Sequence, residues 1–273
     1  MSLHHDQLAA LPAAGPASKQ CTLCPTRTLC WPMAAGGTMD GRFTRRRIRR
    51  GESVYRMGES FHALYVLRSG TLKSLNVLAD GRDQVTAFHM SGDQVGFDGI
   101  AGGHYRTDFI ALEDSEVCVL PYDQVMRMAQ TDACLLRELM RAMSAEIGRE
   151  QETKAWLGTM QAEERVLAFL CEIGRRMAAR GFSSTCLVLR ITRAEIGSYL
   201  GLKLETVSRV ITRLRDSGAV VCGPGRQLQL VRPTQIAARF DAGQERRANR
   251  EPGPRRDSVL PPPWPQREHR IAA

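Results

Sequence analysis

No apolar run in the chain approaches the roughly 20 consecutive residues that a bilayer-spanning helix requires; the longest are short blocks such as Ala63 to Leu67. The amino-terminal end, with His4, His5 and Asp6, has no basic stretch ahead of an apolar core and so does not look like a secretory leader. The chain is therefore expected in the cytosol. In that reducing compartment the eight cysteines are not expected to form structural disulfides, which moves them toward metal or redox chemistry. His-x-His pairs are missing as well. Barrel-shaped metalloenzymes bring two or more histidines inward as ligands, whereas His62, His89 and His104 are scattered and read as surface or core histidines. No enzymatic activity is therefore expected. Acidic residues are the minority: 29 Asp and Glu stand against 38 Lys and Arg, for a formal charge of +9. That balance suits a polyanionic partner and equally a soluble basic protein.

Within 273 residues, enough for two domains with real cores, the most informative stretch is Cys21 to Cys30. Cys21, Cys24 and Cys30 put three thiols into one short loop, and thiolates are the soft ligands that zinc and iron–sulfur clusters select. A fourth ligand must come from far along the chain, because neither Cys nor His follows before His62; Cys118 is the leading candidate. The spacing matches neither common ferredoxin pattern and lacks the paired knuckles of most zinc sites, so it does not name the metal. Ordinary thiols are the alternative. Pro25 and Pro32 stiffen the loop, which argues for a preorganised site.

From Phe43 the chain becomes a series of short alternating segments punctuated by Gly58, Gly70, Gly81 and Gly92, a spacing that predicts a small antiparallel barrel or jelly roll. Ala63 to Leu67 reads as a buried strand, Asp80-Gly81 as the turn of a hairpin, and the segments Asp108 to Leu112 and Glu116 to Leu120 as the closing strands. Cys118 then lies on a strand and could face either way. From Thr131 the pattern turns helical, with Thr131 or Asp132 as N-cap. Leu136, Met140, Met143, Ile147, Glu150, Lys154 and Leu157 step by fours and threes, the seam of a two-stranded coiled coil. A homodimer is expected. Glu150 breaks the seam: opposite its symmetry mate it would be desolvated beside a like charge, at a cost on the order of a few kcal/mol. The dimer would be marginal, with Ile147 and Glu150 as its switch, unless the helices splay there and Glu150 is simply solvated.

Ala162 to Ala179 reads as a further helix. Thr192-Arg193-Ala194-Glu195 is then a capping box opening a helix that stops at Gly201, and a second helix runs from about Leu204 to Ser217 before Gly218. Two short helices across a glycine turn form a helix-turn-helix. In the second, Leu204, Val207, Ile211 and Leu214 are expected to pack inward, while Glu205, Ser208, Arg209 and Thr212 form a polar face suited to base edges. Lys203, Arg213 and Arg215 lie where phosphates would be. Val220 to Cys222 and Leu228 to Val231 predict a wing. The expected class is α+β: a segment 1–42 with the cysteine loop, a sensory barrel 43–130, a dimerisation helix 131–158, a winged helix-turn-helix 159–238 and a disordered Pro/Arg-rich tail 239–273.

This order of parts resembles the Crp/Fnr family of transcription regulators, and within it the oxygen-sensing iron–sulfur branch. The resemblance rests on the four cysteines, Leu67 to Ser74, Gly92-Asp93 with Val95 to Asp98, Ala162 to Arg165, and Ile196 to Leu202 leading into Glu205-Thr206-Val207-Ser208-Arg209. It implies an oxygen-labile [4Fe-4S] cluster on Cys21, Cys24, Cys30 and Cys118, a homodimer when the cluster is present, and reading of TTGAT-N4-ATCAA-like palindromes through Glu205, Thr206, Ser208 and Arg209. Anaerobic genes would be the targets. Ser69, Val77, Leu78 and Gly81 match a surface with which the family touches RNA polymerase. Arg82 stands where an acidic residue is common, and Pro25 where some relatives have Ser. Two alternatives use the same fold. A cyclic-nucleotide-gated regulator would need a Glu where Phe97 stands, and its phosphate-holding pair is met only by Arg106-Thr107, one residue out of register. A zinc-structured constitutive dimer would use the same four thiols.

Overall fold

The computed structural model describes residues 44–78, 81–223 and 227–231. Eight strands open the fold: β1 (Thr44–Ile48), β2 (Ser53–Tyr55), β3 (Ala63–Ser69), β4 (Thr71–Val77), β5 (Asp83–Met90), β6 (Gln94–Val95), β7 (Asp108–Ala111) and β8 (Ser115–Pro121). They form two four-stranded antiparallel sheets ordered β1-β8-β3-β6 and β2-β7-β4-β5. The expected barrel is thus a two-sheet jelly roll with edges, not a closed cylinder. The chain crosses between sheets at glycine turns. At Gly70, between β3 and β4, φ is +98° and an added Cβ would lie 2.1 Å from Ser115 Oγ, so only glycine fits.

Aromatic rings fill the space between the sheets: Tyr55 stacks on Tyr105 at 4.0 Å and on Phe109 at 5.4 Å. The run Ala63 to Leu67 is buried at every position because β3 is covered on both faces. Ala63, Tyr65 and Leu67 point into the sandwich, and Leu64 and Val66 point out against two helices. Those helices are α1 (Tyr122–Thr131) and α2 (Ala133–Thr159). The first was not foreseen; the second begins where Asp132 Oδ1 accepts from the Cys134 and Leu135 amides at 2.9 and 3.1 Å, as an N-cap should.

The carboxy-terminal part contains α3 (Ala162–Ala178), β9 (Cys186–Val188), α4 (Arg193–Leu200), α5 (Leu204–Asp216), β10 (Val220–Cys222) and β11 (Gln227–Leu230). Its core is continuous with the second sheet, where Leu75, Val85, Phe88 and Met90 join Val166, Phe169 and Leu170. Ion pairs cross the same boundary. Asp93, after β5, is gripped by Arg176 and Arg180, all three side chains being at most 12% exposed. Lys73 Nζ meets Glu195 Oε1 at 3.0 Å and Arg190 Nε meets Glu113 Oε2 at 3.0 Å. Burial alone would raise the Asp93 pKa, but the two guanidiniums outweigh it and hold the carboxyl at about 2.

Candidate DNA interface, dimer helix and thiol site

The first helix of the expected pair starts on its capping box. Glu195 N–H donates to Thr192 Oγ1 at 3.2 Å, and Thr192 N–H donates back to Glu195 Oε2 at 2.8 Å. Helix α4 ends at Gly201 with φ +62°, a left-handed residue that lets Leu202 N–H reach Gly197 O at 2.8 Å. Helix α5 follows after two residues. Val207, Val210, Ile211 and Leu214 are its buried stripe. Leu204 was assigned to that stripe but is 47% exposed, because the chain is only entering the helix there; Val210 takes the fourth place.

The opposite side of α5 carries the polar face. Glu205, Arg209, Thr212 and Arg213 are exposed, with Thr206 and Ser208 half-buried at its border and Lys203 exposed at the N-cap. Among the described residues neither Glu205 nor Arg209 is held by a side-chain hydrogen bond or ion pair, so both can turn to a ligand. Arg213 lies 3.8 Å from Glu163 and Arg215 3.0 Å from Asp216, exposed pairs of little energetic weight. The wing is present: β10 and β11 are antiparallel, and β9, which was not anticipated, adds a third strand in the order β10-β11-β9.

Helix α2 divides its apolar residues between two faces. Leu135, Leu139 and Ala142 are buried, the first two against the outer face of the β1-β8-β3 sheet. Leu136, Met140 and Ile147 of the predicted seam are 40, 63 and 55% exposed. Glu150 and Lys154 continue that line, exposed and 3.7 Å apart as an i,i+4 pair. Met143 leans against the sheet-side core.

Cys21, Cys24 and Cys30 lie outside the described residues. Cys118 is half-buried on β8, in register with Arg45 of β1 and Val66 of β3. Its neighbours Val117 and Val119 point into the sandwich, so Cys118 faces outward, toward α1 and α2, which settles the orientation left open by its alternation. Strand β1 begins with Thr44 opposite Val119, so the chain arrives from the cysteine-bearing segment at the edge of the sheet beside Cys118. Among the described residues no group of three or more His, Cys, Asp or Glu is placed to hold a metal. His62 and His104 are exposed, and His89 is buried with Nε2 2.8 Å from Ser74 Oγ and its pKa lowered by that burial.

Residues 45–132 match the family model of the cyclic nucleotide-binding domain, and residues 164–239 match that of the Crp-like helix-turn-helix domain. The fumarate and nitrate reduction regulatory protein of Salmonella typhimurium is 35% identical over 230 residues, 82% of this chain and 92% of that one. The chain belongs to the Crp/Fnr family. The protein of the same name from Escherichia coli K12 is 37% identical over 210 residues, 75% of this chain and 84% of its own. The solved structure of FixK2 from Bradyrhizobium japonicum superposes with a TM-score of 0.66 at 31% identity, covering 72% of this chain and 96% of that one. As a Crp/Fnr member with an intact helix-turn-helix, the protein is a DNA-binding transcription regulator. Among the described residues no helix is long and apolar enough to cross a membrane.

In this Crp/Fnr chain the region matching a nucleotide-binding domain keeps a cavity of about 500 Å³ between β5, Gly96 to Asp98 and α2. Phe97 and Asp98 line it on one side. Asp98 Oδ2 accepts from the Arg106 amide at 2.9 Å and from Thr107 Oγ1 at 3.0 Å. Glu146, Glu150 and Lys154 line the α2 wall, where Glu146 is paired with Arg149 and Glu150 with Lys154.

Proposed function

We propose that this regulator responds to oxygen through a [4Fe-4S] cluster on Cys21, Cys24, Cys30 and Cys118, and that the subunits pair through α2 to bind a TTGAT-N4-ATCAA-like palindrome at anaerobic genes. The observation that carries the reading is the divided helix: one face of α2 is spent on the sheet that holds Cys118, and the other leaves Leu136, Met140 and Ile147 exposed. The names of the relatives, regulators of fumarate and nitrate reduction, support the anaerobic part. Cys118 suits the proposed ligand set as a soft donor facing the layer against which α2 packs, beside the strand that emerges from the cysteine-bearing segment.

When bound, the cluster supplies an oxygen-labile link between the amino-terminal thiols and the sheet. The rest falls to side chains. Leu136, Met140 and Ile147 gain burial when two α2 helices meet, on the order of 1.5 kcal/mol or more for each large apolar side chain that becomes fully covered. Glu150 opposes that gain through its symmetry mate, with Lys154 as partial compensation. Arg209 and Glu205 of each subunit then face half-sites one helical turn apart. The tip of the hairpin β4–β5 carries Val77 and Leu78, 36 and 40% exposed, and Gly81 toward RNA polymerase, while Ser69 lies at the end of β3, at the other end of β4.

Purification without oxygen, followed by iron and sulfide analysis and sedimentation before and after exposure to air, tests the reading. A brown, iron-bearing dimer that bleaches to a monomer in air is expected. A colourless dimer with stoichiometric zinc would favour the structural-metal alternative, and micromolar cyclic nucleotide binding by the metal-free protein the nucleotide-gated one.

A further inference from the structure

The jelly roll and the helix-turn-helix meet along strand β5, which is the edge of its sheet and therefore presents unpaired backbone groups. Two of them have partners outside the sheet: the Phe88 carbonyl accepts from Arg176 Nη1 on α3 at 2.9 Å, and the Val85 amide donates to Ser198 Oγ on α4 at 2.9 Å. Three residues earlier on the same helix face, Glu195 receives Lys73 Nζ of β4 on Oε1 at 3.0 Å, with both side chains under 20% exposed. The other oxygen of that carboxylate closes the capping box that starts α4. One carboxylate therefore ties the start of the helix-turn-helix to the strand pair of the hairpin. At the far end of the hairpin, Leu78 N–H donates to Arg82 O at 2.8 Å and Gly81 N–H to Leu78 O at 2.9 Å, forming the tip that exposes Val77 and Leu78.

We infer that Lys73 and Ser198 are positioning residues for transcription activation: they weld the β4–β5 hairpin to the first helix of the DNA-binding unit, so that docking of α5 on DNA fixes where the hairpin tip stands. This rests on the reading of the tip as a surface for RNA polymerase. A two-stranded ribbon attached only through its sheet would have to be ordered when the polymerase arrives, and that ordering would weaken the contact; a ribbon already braced avoids the loss. Neither Lys73 nor Ser198 reaches the base-reading face of α5 or the exposed tip.

The test uses the full-length protein prepared without oxygen, on a promoter that the parent protein activates. DNA affinity is read by fluorescence anisotropy, transcript yield with purified RNA polymerase at saturating regulator, and amide exchange across β4 and β5 by mass spectrometry. The Lys73→Met/Ser198→Ala double variant is expected to bind DNA within about twofold of the parent, to lose roughly tenfold or more in transcript, and to exchange faster at Val85. Lys73→Arg, which keeps the ion pair, should retain activation. Unchanged exchange would show that no brace exists, equal loss of DNA binding would assign both residues to the helix-turn-helix itself, and faster exchange with full transcription would show that the brace does not matter; each overturns the inference. Leu78→Ser separates the underlying reading: if it leaves transcription and DNA binding intact, the tip is not the polymerase surface, whatever the brace does.

Discussion

Arg209 stands exposed one turn after Glu205 on α5, with Val210 and Ile211 anchored beneath it, so its guanidinium is free to donate twice to a guanine edge. Arg209→Ala should cost about 1–3 kcal/mol at one base pair, read by anisotropy against single-substituted operators; a uniform loss over all sequences would reassign it to phosphate. A second residue-scale prediction separates the thiols. Cys118→Ser should abolish pairing of the oxygen-free protein, whereas Cys134→Ser and Cys171→Ser should leave it unchanged in sedimentation; burial pushes the Cys171 thiol up to about 11, so without a metal it stays protonated. Single residues were legible where their neighbours are local in sequence. The Thr192 and Glu195 box could be read directly, because its two bonds join residues three apart. Leu204 was misplaced because the periodicity of α5 was carried back to its first residue, where the side chain projects beyond the domain surface.

At the scale of elements, α2 carries the sharpest expectation. Glu150→Ala removes a charge from the exposed line Leu136, Met140, Ile147 and should make the protein dimeric in air by light scattering; a variant that stays monomeric would show that the seam charge is not the switch. The seam itself was legible because steps of three and four mark one face of a helix regardless of what covers it. That a second apolar face, Leu135 and Leu139, packs on the sheet was missed for the same reason: two stripes one residue apart look like one broad stripe in sequence. Helix α1 was legible but missed: Tyr122, Val125, Met126 and Ala129 stand at i, i+3, i+4 and i+7 and pack on the sheet-side core, with Pro121 before them and Asp123 in the first turn marking a helix start, but the barrel was carried on to residue 130. Strand β9 has three residues, too few for alternation to declare itself.

Over the whole molecule, the contacts that join the jelly roll to the DNA-binding unit were invisible in sequence. Lys73 and Glu195 are 122 residues apart, and Asp93 and Arg176 are 83 apart, so no local pattern links them. Asp93 sits in the Gly92-Asp93 pair that carried the family resemblance, but its task becomes visible only with Arg176 and Arg180 around it. Asp93→Asn leaves two nearly buried guanidiniums without a counter-charge and should destabilise by about 3–5 kcal/mol in urea denaturation. The pH dependence has a definite sign. The Asp93 pKa is depressed in the folded state to about 2, so its contribution is complete above the ordinary carboxylate range and is lost as pH falls from about 4 through about 2. Acid titration of the parent and of Asp93→Asn should differ in that window.

The most direct test of the central claim, that the thiol-bound cluster governs subunit pairing and hence operator binding, is one titration. Oxygen-free protein of measured iron content is added to a labelled palindrome, and the same sample is titrated again after air has removed the iron. The account predicts tight binding by an iron-bearing dimer and a collapse of affinity, with monomers, after air. Equal affinity for the operator from protein that contains no iron would contradict it.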